Sequence, residues 1–152
     1  MKLPFIRSQE GTYKGTVLFV CVENAGRSQM AEAFFRKYAS DGCMAVSAGT
    51  KPSGSINPIA IQAMKEVGMD ISKQKSKMIT EDMIRNAAVR VNMGCMDKES
   101  CPTLFIHNVL EWGIEDPKGK SIDKVREIRD DIEQRVSQLA ADLVKTSEQL
   151  KS

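Results

Sequence analysis

The sequence predicts an α/β domain built on one parallel β-sheet of about four strands flanked by helices. Three observations lead there. Short apolar runs rich in β-branched residues fall at 16–21, 44–48, 89–93 and 104–110, each bounded by turn signals. Longer segments with helical spacing lie between and after them, and strands alternating with helices call for a parallel sheet with right-handed connections. The chain has 152 residues, 41% of them hydrophobic and 28% charged, which suits one globular domain with a real core. On this reading residues 1–15 form an N-terminal extension, 16–146 the α/β domain and 147–152 a C-terminal tail.

Each element has its own signal. The first strand, 16–21, runs into a short turn, and a helix follows over about 26–39 with Met30, Ala33, Phe34 and Tyr38 at core spacing. The second strand, 44–48, ends at Gly49 and a Pro/Gly/Ser loop. Asn57-Pro58 then starts a helix, with a capping side chain followed by proline at the first helical position. That helix turns Ile61, Met64 and Val67 inward and stops at Gly68. Thr80 caps a shorter helix with acids in its first turn. The third strand carries Arg90 and Asn92, which are out of place where a central parallel strand should be apolar. Ser121 caps a long last helix whose apolar stripe is Ile122, Val125, Ile128, Ile132, Val136, Leu139 and Leu143.

Bulk properties exclude several classes. A net charge of +2 argues against nucleic acid or a membrane surface as partner. No apolar run approaches the ~20 residues that span a bilayer. The first residues lack the apolar core of a signal peptide, so a cytoplasmic location is expected. The four cysteines, at 21, 43, 95 and 101, then read as catalytic, redox-active or metal-binding and not as a disulfide scaffold. With no tight Cys-x2-Cys pair and His107 as the one histidine, no metal site is expected. His107 reads as a strand residue with a satisfied ring, and Cys43 as a small buried side chain.

The chemistry concentrates where the first strand ends, at Cys21-Val22-Glu23-Asn24-Ala25-Gly26-Arg27-Ser28. A strand, a tight turn and a helix in this order gather backbone N–H groups at a helix N-terminus, which binds anions through its unpaired amides and its dipole. Arg27 adds a planar fork of donors suited to a tetrahedral oxyanion. Cys21 sits at the mouth of this site, where its thiolate is stabilised. Residues 22–28 are thus read as an oxyanion-binding loop and Cys21 as its nucleophile, against the plainer reading of a thiol that fills a strand end. Cys21 and Cys95 both lie at the carboxyl ends of strands, beyond which ligands bind in such sheets.

The run Cys21-x5-Arg27-Ser28 after an apolar strand resembles the catalytic loop of the low-molecular-weight tyrosine phosphatase superfamily, which includes the thioredoxin-coupled arsenate reductases. The resemblance continues, in the family's order, through Ser47-Ala48-Gly49-Thr50, Gly68-Met69-Asp70-Ile71-Ser72, Met93-Gly94-Cys95 and Asp116-Pro117, and spans about residues 16–145. It implies a low-molecular-weight tyrosine phosphatase-like fold, with residues 16–146 as the catalytic domain. It also implies that Asn24 holds the loop's shape and that Asp116 is the general acid; alone, Asp-Pro-Lys-Gly is also simply turn chemistry. Ser28 is placed to donate to the Cys21 sulfur.

Cys95-x5-Cys101-Pro102 resembles the redox pair of the thioredoxin-coupled reductases. That resemblance implies a three-cysteine relay in which Cys21 forms an adduct with arsenate, Cys95 attacks it to release arsenite, and Cys101 resolves the disulfide. Thioredoxin is then the electron source and no bound cofactor is needed; a monovalent cation finds no support in the sequence. A phosphatase that uses Cys21, Arg27 and Asp116 on phosphotyrosine or small esters remains open, as does a non-catalytic thiol protein that traps arsenite or a soft metal. Read without the resemblance, Cys95 and Cys101 are two incidental thiols. Relatives that act on phosphotyrosine often carry aromatic residues after Asp-Pro, whereas Lys118-Gly119-Lys120 here favours a small inorganic substrate. Two further departures stand out. Glu23 puts a carboxylate into the anion loop where many relatives have glycine, and Arg90 replaces an apolar residue.

Overall fold

The computed structural model describes residues 15–94 and 109–149, so Cys95, Cys101 and His107 lie outside it, as do residues 104–108 of the expected fourth strand. The order of elements is β1 (Gly15–Cys21), α1 (Arg27–Tyr38), β2 (Cys43–Gly49), α2 (Pro58–Lys65), α3 (Glu81–Asn86), β3 (Val89–Asn92), β4 (Val109–Glu111) and α4 (Ile122–Gln149). The four strands form one sheet in the order β2-β1-β3-β4, and every neighbouring pair is parallel.

Strand β1 is buried from Val17 to Cys21 because helices cover both of its faces. Val17, Phe19 and Cys21 join the larger cluster with residues of α1, α2 and α4, and Leu18 and Val20 join the smaller one with Ile84 of α3. Phe19 anchors the large cluster, its ring 6.0 Å from those of Phe35 and Trp112. The chain passes from β1 through α1 to β2 on one side of β1, then returns to β3 on the other. The carboxyl end of β1 therefore lies at the switch point where open α/β sheets hold ligands.

The caps follow the sequence signals. Asn57 Oδ1 accepts from Ile59 N at 2.9 Å, Thr80 Oγ1 from Met83 N at 3.1 Å, and Ser121 Oγ from Lys124 N at 3.2 Å. Helix α2 ends at Lys65, three residues before Gly68. The remaining residues close a turn in which Met69 N bonds Met64 O and Gly68 N bonds Lys65 O, with Gly68 at φ 81°. Tyr38 is not a core residue as its spacing suggested. It lies 37% exposed at the end of α1 and donates its hydroxyl to Glu133 of α4, while Phe35 takes the buried place.

The two polar residues of β3 are accounted for. Arg90 shares the α3 face with Leu18, its register partner, and its Nε donates to Ile84 O at 2.8 Å. A buried cation at the carbonyl end of a helix is favoured by the dipole, although burial pulls the Arg90 pKa below its usual value. Asn92 Nδ2 donates to Glu111 Oε2 at 3.0 Å, and its Oδ1 accepts from Gly94 N at 3.2 Å, so it ties β3 to β4 and shapes the exit of the strand.

A cluster of charges holds α2 to α4. Glu66 accepts from Arg126 at 2.6 Å and from Arg129 at 2.9 Å, and Arg129, itself buried, also donates to Ala63 O. The hydrogen bonds from Arg126 hold the Glu66 carboxyl down at about 2, against an ordinary 4.5. A depressed carboxylate contributes stability above its unfolded pKa, and the contribution is lost as pH falls through the folded one. Thermal melting of the wild type should therefore fall between about pH 4.5 and pH 2, and Glu66→Gln should flatten that part of the profile. Parallel profiles for the two proteins would show that Glu66 is not the group responsible.

Candidate functional site

Residues 21–28 wrap around the Cys21 sulfur. Asn24 N donates to Sγ at 3.2 Å, and Ser28 Oγ lies 2.9 Å from it. The direction of the second bond follows from its neighbours. Lys77 N donates to Asn24 Oδ1 at 2.8 Å, which fixes the oxygen of that amide and leaves Nδ2 to donate to Ser28 Oγ at 2.7 Å. With its oxygen thus occupied, the Ser28 hydroxyl turns its proton to the sulfur. Two donors thus converge on the sulfur.

The chain of donors extends further back. Gln29 Nε2 lies 2.9 Å from Asn24 Oδ1, Asn24 O and Lys75 O, and its Oε1 accepts from Gln74 Nε2 at 2.7 Å. Gln74 Nε2 also reaches Gln29 O, so its orientation is fixed too. Gln74, Gln29, Asn24 and Ser28 each donate toward Cys21, and bonds aligned this way polarise one another. Gln29, Gln74 and the Lys77 amide carry no sequence signal that would mark them as parts of this loop.

The loop carbonyls are held by flanking segments. Val22 O accepts from Lys51 N, Glu23 O from Ser53 N and Ser76 Oγ, and Ala25 O from Asn57 N, all at 2.8–3.0 Å. In a trans peptide the N–H points opposite to the C=O. Binding these oxygens outward therefore turns the amides of Glu23, Asn24 and Gly26 inward, and the Asn24 amide on the sulfur is one of them. Asn24 sits at φ 51°, a left-handed conformation that asparagine tolerates. Gly49, at the end of β2, is needed for close approach, because a Cβ there would lie 2.4 Å from Val22 O. Gly26 is the N-cap of helix α1 and makes no side-chain cap, which leaves the helix's positive end open to the same space.

Arg27 is 4% exposed. Its Nη1 donates to Met93 O at 3.1 Å and Ile114 O at 3.0 Å, and its Nη2 lies 3.6 Å from Asp116 Oδ2. The guanidinium thus joins the loop to the exit of β3 and to the segment bearing Asp116. Asp116 is half exposed, and its Oδ1 accepts from Lys118 N at 3.0 Å. Glu23 does not stand alone: its carboxylate meets Lys118 Nζ at 2.7 Å.

A cavity of about 260 Å³ opens here, with Cys21, Ala25, Gly26 and Arg27 among its lining residues and Ser53, Ser55, Asn57, Asp116 and Lys118 also contributing. Among the described lining residues none is aromatic. The structure thus brings Cys21, its loop and Asp116 together at one cavity, while Cys95 and Cys101 lie outside the described residues. Cys43 differs in kind: burial raises its pKa, and its sulfur lies 3.5 Å from Ser40 Oγ.

Comparison with known proteins adds the following. Residues 16–149 match the family model described as low molecular weight phosphotyrosine protein phosphatase. The chain is 41% identical over 128 residues to a protein of Brevibacillus brevis named arsenate reductase, covering 84% of this chain and 95% of that one. A solved structure described as an arsenate reductase in the phosphate binding state aligns at a TM-score of 0.77 and 34% identity, covering 85% of this chain and 98% of that one. The thioredoxin-dependent arsenate reductase of Corynebacterium glutamicum aligns at a TM-score of 0.72 and 34% identity, covering 91% of this chain and 64% of that one.

Asn24 and Gly49 give the loop its shape, so both are open to test. Asn24→Ala leaves the Lys77 amide without its acceptor and Ser28 without its donor, and should cost about 2–4 kcal/mol of stability, on the scale of unpaired buried polar groups. Gly49→Ala should cost about 1–3 kcal/mol as an overpacking change. Denaturant unfolding measures both, and binding of inorganic phosphate should weaken in each variant. Wild-type affinity in both would show that the loop does not depend on these contacts.

Proposed function

The chain belongs to the low molecular weight phosphotyrosine protein phosphatase family, and from that premise we propose that it is an arsenate reductase whose own thiols supply the two electrons. The observation that carries the reading is the Cys21 sulfur, which receives the Ser28 hydroxyl and the Asn24 amide inside an anion loop beside Arg27. The named relatives support arsenate as the substrate. So does the lining of the pocket, which offers no ring for a phosphotyrosine among its described residues.

In this reading the loop amides and Arg27 hold arsenate while the Cys21 thiolate attacks arsenic. The departing As–O oxygen leaves as water, and we assign its proton to Asp116. Cys95 then attacks the Cys21 sulfur. The electron pair of the S–As bond stays with arsenic, which departs as arsenite, and a Cys21–Cys95 disulfide forms. Cys101 attacks Cys95, frees Cys21 and leaves a Cys95–Cys101 disulfide for an external dithiol to reduce. The thioredoxin dependence of the Corynebacterium relative supports thioredoxin as that donor. The parts given to Cys95 and Cys101 rest on the sequence alone. The family's description supports a second reading, a phosphatase that uses Cys21, Arg27 and Asp116 with water as the final nucleophile.

Arsenate-dependent NADPH oxidation, coupled through thioredoxin and its reductase, separates the two. Cys21→Ser, Cys95→Ser and Cys101→Ser should each reduce steady-state turnover to background, and Asp116→Asn should slow it about 10²–10⁴-fold. Cys43→Ser should stay within about twofold, its cost confined to packing. Phosphate release from p-nitrophenyl phosphate that survives Cys95→Ser, with no arsenate turnover in the wild type, would decide for the phosphatase.

A further inference from the structure

The contact between Glu23 and Lys118 has no part in the chemistry above, yet it joins the two segments that enclose the pocket. Glu23 belongs to the anion loop and Lys118 to the turn that follows Asp116, and both line the cavity. That turn is rigid. Pro117 opens it, Lys120 N closes it on Pro117 O at 3.1 Å, and Gly119 takes φ 73° in its third place. Pro117 also packs so closely on Gly26 that a Cβ there would lie 2.8 Å from the proline ring. The backbone amide of Lys118 is held by Asp116 Oδ1 at 3.0 Å, and from that fixed point its side chain reaches Glu23 Oε1 at 2.7 Å. Two negative groups, Glu23 and Asp116, thus flank a pocket whose amides and arginine are arranged for an anion. Lys118 touches both, one through its ammonium and one through its backbone.

We propose that Lys118 and Glu23 form an electrostatic gate on the oxyanion pocket, Lys118 cancelling the loop carboxylate so that a compact inorganic dianion can enter, while the closed pair disfavours phosphate esters whose organic group must pass between the two loops. The inference rests on the reading of residues 21–28 as an oxyanion site and adds to it the class of substrate admitted. Glu23 without its partner is a like charge beside the bound anion and opposes it. With its partner that charge is offset, and the ion pair ties together two of the segments that line the pocket.

Four proteins test this: the wild type, Lys118→Met, Glu23→Gln and the double variant. Inorganic phosphate is titrated calorimetrically into each, and p-nitrophenyl phosphate is offered as the ester probe. Lys118→Met should weaken phosphate binding about two- to fivefold, the range of a half-exposed ion pair, and the loss should shrink at high salt. The double variant should return to within about twofold of the wild type, because the opposing carboxylate is gone. Turnover of the ester relative to phosphate affinity should rise in the double variant, where the gate is absent. A double variant as weak as Lys118→Met, or unchanged phosphate affinity in Lys118→Met, overturns the gate while leaving the pocket intact. Failure of the wild type to bind phosphate overturns the oxyanion site itself and the gate with it.

Discussion

One side chain, that of Asn24, sets the shape on which the site depends. A loop that points its amides at one sulfur cannot be stable unless its carbonyls and its strained residue are held from outside. Asn24 takes the left-handed conformation, puts its amide on Cys21 and uses its side chain in both directions, accepting from Lys77 and donating to Ser28. The rest of the surroundings serves this arrangement. Gly49 lets the loop come close to β2, Gln29 reaches back from α1, and the segment from Gln74 to Lys77 lies alongside to supply the missing donors. The Lys77 amide and the carbonyls of Asn24, Lys75 and Gln29 together fix the direction of the donor chain.

The fold was legible in the sequence because its signals are local. The first three strands, an Asn-Pro helix start, and Thr80 and Ser121 as caps each report on their own few residues, and each lies within a residue or two of its expected place. Helix ends were less legible. Nothing in the local pattern said that α2 would give up its last turn to a glycine-closed bend, or that Tyr38 would find Glu133 and stay outside the core. The candidate nucleophile and its loop were legible for the same local reason, since strand, cysteine, arginine and helix start are consecutive.

The supports of that loop were not legible, because they are distant in the chain. Gln74 comes within bonding distance of Gln29 only after a strand and a helix have intervened, and Lys118 is paired with a residue 95 positions away. Glu23 looked adverse in the sequence because a carboxylate in an anion loop is a like charge. In the fold it is one half of an ion pair. Arg90 was likewise unexplained until α3 supplied a carbonyl for its guanidinium. Such polar residues are resolved by tertiary contacts that spacing and propensity do not encode.

The central claim is that this chain carries its own two electrons to arsenate, and thiol counting under single turnover tests it most directly. The fully reduced protein, with its four cysteines, is mixed with excess arsenate in the absence of any reductant, then denatured and titrated for free thiols while arsenite is measured. One arsenite per chain and two thiols lost are expected. No arsenite and four intact thiols would contradict it.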